Sequence, residues 1–354
     1  VRRGFAAPHQ EEEIVYPRKQ MVSMRSLPSI SVVIGVYNGA EMIGKCLESL
    51  LNQNYPQHLY DIIVVENGSD DNTVDVVQRY PVRLYQNPVR GLAAARNYGI
   101  ERSDAEIIAT TDADCVAHPD WLQELVRPYA EPQVGGVGGY IAAYAHDERT
   151  TVELFLDESA PLVNFISGEH EFLPHLYGAN ASFRRELLLQ IGGYNERLIT
   201  AEDVDVSWRI QLETGARLVY VEQAIIYHHH RATEQGLARL YEHYGFGEIL
   251  LDTLYCKYTG YPRNLGFQCR RMMGQIGVLP RYVLSMLVRR WRLMRGAISP
   301  YEAEVPRLWL LIESSNILGK LRALRATRLM RTAEPILAMD RGALIHELYG
   351  TTHQ

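Results

Sequence analysis

The stretch AEIIATTDADC, residues 105–115, sets an apolar run against a polar end. Its first half reads as a buried strand. Two acids, Asp112 and Asp114, then follow one residue apart. In an extended chain, residues i and i+2 point to the same side. Two carboxylates placed that way repel unless a cation lies between them. The pattern predicts either a water-facing strand end or a clamp for a divalent metal.

Outward from this stretch the chain alternates. SISVVIGVY (29–37) is β-branched, apolar and ended by Asn38-Gly39, which predicts a buried strand. AEMIGKCLESLLNQ (40–53) sets Ile43, Leu47, Leu50 and Leu51 at helical spacing. DIIVVEN (61–67) and VRLYQN (82–87) read as strands, and NTVDVVQRY (72–80) and GLAAARNYGIERS (91–103) as helices. PDWLQELVRPYA (119–130) is a further helix, with Pro119 where first-turn prolines are tolerated. This order predicts an α/β protein with a doubly wound, mostly parallel sheet and helices on both faces. Ligands of such sheets bind beyond the carboxyl ends of the strands. TTDADC (110–115) and ENGSDD (66–71) both lie at such ends.

Beyond about residue 133 the pattern is mixed. VGGVGGYIAAY (134–144) reads as a glycine-thinned strand, and no helix follows it to make a dinucleotide fingerprint. NASFRRELLLQIGGY (180–194) reads as strand end, helix and turn. TAEDVDVSWRIQLETG (200–215) is a helix stopped by Gly215, and ARLVYVEQAIIYHHH (216–230) two short strands. From Ala232 the chain is helical. Three segments are expected: a polar tail or strap over 1–28, a catalytic domain over 29–231 and a mainly helical region over 232–354.

The 354 residues carry a formal net charge of −6, which argues against a nucleic-acid partner. Cys46, Cys115, Cys256 and Cys269 form no CxxC pair, which fits a reducing compartment rather than disulfides or zinc. VRRGFAAPHQEEE lacks the apolar core of a signal peptide, and no apolar run reaches membrane-spanning length. A cytoplasmic location, at the inner face of the membrane or free of it, is the expectation.

Six elements, in order, resemble the family 2 glycosyltransferases of the GT-A fold. They are VVIGVYNGAEMIGKCLESLLNQ, VVENGSDDNTVDVV, GLAAARNYGI, TTDADC, GANASFRRELLLQIGGYNERL and AEDVDVSWRI, spanning about 30–245 with their surroundings. The resemblance implies an inverting transfer of one sugar from a nucleotide-diphosphate sugar to an acceptor hydroxyl. Its expected cofactor is Mg²⁺ or Mn²⁺, because a divalent cation stabilises the departing diphosphate and prefers hard oxygen ligands. Asp114 then reaches the metal, and Asp112 lies near ribose or sugar.

Val36, Tyr37, Glu41, Glu66 and Asn67 fall where the family holds the nucleotide. Tyr37 taken alone also fits a plain strand-to-helix turn. The family commonly has two acids where this chain has Glu66-Asn67, and an amide both donates and accepts. Asp70 and Asp71 read as turn residues. Arg96 is expected near the nucleotide or in a surface salt bridge. In YHHHR (227–231), a continuing strand puts His228 and His230 on one face and His229 on the other. His228 and His230 are candidate third ligands, most naturally for Mn²⁺, or caps of the sheet.

Asp203 of AEDVD matches the family's general base, which takes the acceptor's proton. Thr200 to Asp203 also resembles a capping box, and Glu202 is expected to contact acceptor or support Asp203. Trp208 reads as packing, and Arg209 as a diphosphate or salt-bridge contact.

IGVLPRYVLSMLVRRWRLMRG (276–296) gathers Leu279, Val283, Met286, Leu287, Leu293 and Met294 on one side of a helix, with Arg290 among them. Arg281, Arg292 and Arg295 lie opposite. This fits a helix lying on a membrane, or one packed on the catalytic domain or on a second copy in a homodimer. No QxxRW of processive family members is present, since LVRRW (287–291) lacks the Gln. Two rivals remain. A nucleotidyltransferase would carry a glycine-rich, lysine-bearing loop after the first strand, which GVYNGAE is not. A non-catalytic sugar-nucleotide-binding protein would not need Asp112, Asp114 and Asp203 intact.

Overall fold

A computed structural model describes residues 27–146, 148–159, 172–256 and 265–329. The expected tail over 1–28 lies outside them, apart from its last two residues. The first half alternates as expected: β1 (Ile30–Val36), α1 (Ile43–Leu51), β2 (Tyr60–Glu66), α2 (Thr73–Val77), β3 (Arg83–Gln86), α3 (Leu92–Glu101) and β4 (Ile107–Thr110). A short strand β5 (Cys115–Ala117) and helix α4 (Trp121–Val126) follow. Pro119 therefore precedes the helix, whose N-cap is Asp120. Then come β6 (Val134–Ala143), α5 (Thr151–Ser159), β7 (Ala181–Arg184), α6 (Arg185–Gln190), α7 (Glu202–Thr214) and β8 (Arg217–His228). Three long helices close the described chain: α8 (Glu234–Tyr255), α9 (Leu265–Met294) and α10 (Pro300–Leu329).

One eight-stranded sheet runs in the order β3-β2-β1-β4-β7-β6-β8-β5. The first four strands are parallel, and β7 enters antiparallel between β4 and β6. Strand β1 is apolar except for Ser31, which donates to Asp61, because both its faces are covered. Ile30, Val32, Ile34 and Val36 pack with α1 and α4, whereas Val33 packs with α3 on the other face. Gly99 lets α3 sit close to β1, for a Cβ there would strike Val33.

The stretch 216–230 forms one strand rather than two. β8 pairs with β6 along its length, and a register irregularity opposite Gly139/Tyr140 absorbs residues 222–224. Such a bulge interrupts the side-chain alternation, so the segment reads as two pieces in sequence. β8 delivers His228 beside Cys115, its partner across the antiparallel β5 pair.

The C-terminal helices are bound to the sheet domain. Gly247 of α8 lies against Thr200 and Ala201, and Tyr255 donates a 2.7 Å hydrogen bond to Asp205 on α7. α10 meets α8 where Gly245 faces Asn316 and Gly319 faces Glu242. Lys320 is fully buried between them, 3.0 Å from Glu248 and 2.9 Å from Gln275 on α9.

Candidate active site

The acids of TTDADC do not converge on one another. β4 stops at Thr110, and the Asp112 carbonyl accepts the Cys115 N–H, so the two acids occupy a turn between β4 and β5. The alternation of an extended chain does not apply there. Each acid has its own cation. Asp112 pairs with Arg96 at 3.0 Å. Asp114 lies 3.7 Å from His228 Nε2 and 3.5 Å from the Arg231 guanidinium. Both of these distances exceed a good hydrogen bond.

Arg96 is neither exposed nor open to a nucleotide. It is 1% exposed and also pairs with Glu202 at 3.0 Å, so it joins the end of β4 to the start of α7. Its guanidinium lies against Gly178, where a Cβ would overlap it. Burial opposes the charge, but Tyr194, Asp112 and Glu202 outweigh it and hold Arg96 protonated. Glu202 is buried as well. Its pKa is pushed up to about 7, first by burial and then by the neighbouring Asp203, with Arg96 pulling it back. Enclosed in this way, Glu202 is not placed to touch an acceptor directly.

The capping box at Thr200 does not form. The N-cap of α7 is Ala201, in the left-handed region at φ 61°, without a capping side chain. This is an unfavourable conformation for a non-glycine residue, and it lies immediately before Glu202 and Asp203. The Asp203 carboxylate accepts from Val204 N–H at 2.8 Å and from Gly178 N–H at 3.1 Å. Those bonds fix its orientation and still leave lone pairs for a proton, since a carboxylate has about four acceptor sites. Trp208 is buried packing, and Arg209 pairs with Asp205 and the Ile191 and Gly193 carbonyls.

At the other end of the crevice, Val36 is buried and its carbonyl accepts the Asn67 N–H at 2.9 Å. Asn67 is buried too, and its amide donates to the Val89 carbonyl at 2.8 Å and accepts from the Gly91 N–H. Glu66 accepts from the Ser69 N–H. These groups order the loops around the crevice. Asp71 does the same as a turn residue, accepting from Thr73 and Ala40. Tyr37 is 53% exposed with the Arg90 guanidinium over its ring, and Glu41 is exposed just before α1.

Among the described residues, one cluster brings together candidate metal donors: Asp114, Cys115 and His228. His230 is not in it; its ring centroid stands 5.6 Å from that of His228. His229 stacks on Tyr144 at 3.8 Å. Burial lowers the pKa of both His229 and His230 to about 4. Cys115 is buried, which pushes its thiol well above its usual range, and the charges of Asp114 and Asp112 add to the rise. A protonated thiol is a poor ligand for a hard cation, because metals bind the thiolate. A carboxylate and an imidazole remain, and His228 Nδ1 is buried without a hydrogen bond among the described residues. That donor pair fits Mn²⁺ better than a purely oxygen-seeking ion.

The sequence reading missed two residues here. Gly178 and Arg231 both lie in quoted motifs, yet nothing in their type announces a role. Gly178 matters through its N–H and its missing Cβ, and Arg231 through a contact made only when β8 and the β4–β5 turn meet.

Residues 31–192 match the family model described as glycosyl transferase family 2. Glycosyltransferase AglE of Haloferax volcanii is 31% identical over 215 residues, covering 56% of this chain and 66% of that protein. The glucosyl-dolichyl phosphate glucuronosyltransferase of the same organism is 29% identical, over 64% of this chain and 78% of that protein. The chain thus spans just under two thirds of the first of these relatives. A mannosyltransferase from Pyrobaculum calidifontis, solved with GDP-Man and Mn²⁺, superposes with TM-score 0.55 at 22% identity, over 84% of this chain and 88% of that one. No helix among the described residues is long and apolar enough to cross a membrane. Residues 31–192 thus match glycosyl transferase family 2, and the sheet that carries them has the GT-A fold.

Proposed function

We propose that the chain is a metal-dependent, inverting glycosyltransferase that moves one sugar from a nucleotide-diphosphate sugar to an acceptor hydroxyl. The observation that carries this reading is Arg96, buried between Asp112 and Glu202. It ties Asp112, at the donor end of the crevice, to Glu202, the buried neighbour of Asp203. Asp203 takes the acceptor's proton while that oxygen bonds to the anomeric carbon and the bond to the diphosphate breaks. The nucleoside diphosphate leaves with the electron pair, and one carboxylate suffices because no enzyme-bound sugar forms. Asp114 and His228 would hold the divalent ion, which supplies charge to stabilise the leaving diphosphate. Asp112 orients donor sugar or ribose, Tyr37 and Glu41 border the base, and Val36, Glu66 and Asn67 shape its walls. Arg96 and Glu202 are positioning residues in this scheme. His230 supports His228 rather than binding metal.

The relatives named above include a dolichyl-phosphate-sugar enzyme, and the superposed structure holds GDP-Man and Mn²⁺. The second agrees with a nucleotide-sugar donor. Calorimetry of nucleoside diphosphate binding, with Mn²⁺ and with EDTA, tests the metal site. Binding should need Mn²⁺ in the wild type and weaken sharply in Asp114→Ala. Equal affinity with and without metal would overturn the assignment.

A further inference from the structure

Helix α9 turns an apolar face away from the protein. Met273, Leu284, Leu287, Trp291 and Met294 are 66%, 62%, 64%, 50% and 74% exposed, and Ile276, Val283 and Val288 stand among them. At 3.6 residues per turn these side chains fall within an arc of roughly 140°. The opposite side of the helix is its packing face. Gln275 bonds to Glu313 and Asn316 of α10, Arg271 pairs with Glu248 of α8, and Arg289 donates to the Glu302 carbonyl. The orientation is therefore set by contacts, and it is the reverse of a helix that buries its apolar stripe.

Charge narrows the occupant. α9 contains Arg270, Arg271, Arg281, Arg289, Arg290 and Arg292 and no acid, in a chain of net charge −6. Arg270, Arg281 and Arg292 border one edge of the apolar arc and Arg290 the other. Arg295 lies over the Trp291 ring at 3.9 Å, at the end of the stripe. A second copy docked face to face through α9 would oppose arginine to arginine, with no carboxylate on the helix to neutralise them. A membrane-spanning role is closed to it, since no described helix is apolar enough to cross. An apolar stripe rimmed by arginines matches the boundary of an anionic bilayer, with acyl chains under the stripe and phosphates at its edges.

We infer that α9 is an interfacial helix that docks this protein on an anionic lipid surface. α9 is joined through α10 and α8 to the start of α7, so the catalytic crevice is held at a fixed attitude to the lipid. An acceptor carried by the bilayer is then presented to the crevice without a diffusing step.

Vesicle flotation tests this on the full chain. The protein should float with vesicles of phosphatidylcholine mixed with phosphatidylglycerol, bind phosphatidylcholine alone far less, and lose part of the binding in high salt. Leu284→Glu with Leu287→Glu should reduce binding at least about tenfold, with circular dichroism unchanged because both side chains are exposed. Arg281→Glu with Arg292→Glu should remove the preference for anionic lipid. Asp203→Asn should float like the wild type, so this docking stands or falls apart from the catalytic assignment. Absence of flotation at low salt would overturn the inference. So would light scattering that shows a dimer which the leucine variant splits.

Discussion

Asp203 already receives two backbone N–H bonds, from Val204 and Gly178. An asparagine in its place can accept one of them, but its NH₂ would meet the other donor. Asp203→Asn should therefore cost about 0.5–1.5 kcal/mol of stability and lower turnover by at least about 10², with donor binding nearly unchanged. If the carboxylate only braces the helix start, turnover per folded molecule will stay near the wild-type rate. Melting temperature, donor affinity and transfer rate on the one variant separate these outcomes. Glu202 offers a second test. Its pKa rises from 4.5 unfolded to about 7 folded, so folding takes up a proton there. The stability this confers is complete below pH 4.5 and fades as pH rises through about 7. The melting temperature of wild type minus that of Glu202→Gln should fall across this window. A difference that grows with pH would mean that the ion pair with Arg96 dominates and Glu202 stays charged. The identities of both acids were legible in AEDVD. Their environments were not, because Arg96 and Gly178 come from distant parts of the chain.

The elements show where periodicity suffices and where it fails. Strand β1 and helix α1 were readable because each side chain's face follows from local geometry, a period of 2 or 3.6. β8 read as two strands because a bulge breaks that period, and only pairing with β6 shows that it continues. Helix α9 was ambiguous for a related reason. Of the apolar positions that cluster on its wheel, Leu279, Met286 and Leu293 are half-buried while Val283, Leu287 and Met294 are exposed. Moment alone cannot say which way a helix is rotated against its neighbours. Packing between α8 and α10 makes a sharper claim. Gly319 abuts the Glu242 backbone so closely that any Cβ would overlap the carbonyl. Gly319→Val should force the helices apart and destabilise the protein by about 1–3 kcal/mol, seen as a lower melting temperature. An unchanged melting temperature would show that the two helices are not in contact in solution.

On the scale of the whole molecule, the described strands end with β8 at His228 and helices follow from Glu234, but packing crosses that point. Trp208 of the sheet domain is buried with Leu251 and Tyr255 of α8, and Leu198 with Phe246 and Ala323. The helical region therefore completes the wall behind α7. The sequence by itself determined the α/β alternation, the GT-A resemblance, the residue types of the candidate site and the absence of a long apolar span. Those properties follow from local spacing and from side-chain chemistry, which the chain carries wherever it goes. Only the tertiary structure decided that Asp112 and Asp114 answer to different cations, that Arg96 and Glu202 are buried rather than open to ligand, and that α9 turns Leu284 and Leu287 outward. The Arg96–Glu202 pair joins residues 106 positions apart. No local period encodes such a contact, because it exists only once the fold has brought α3 beside the start of α7.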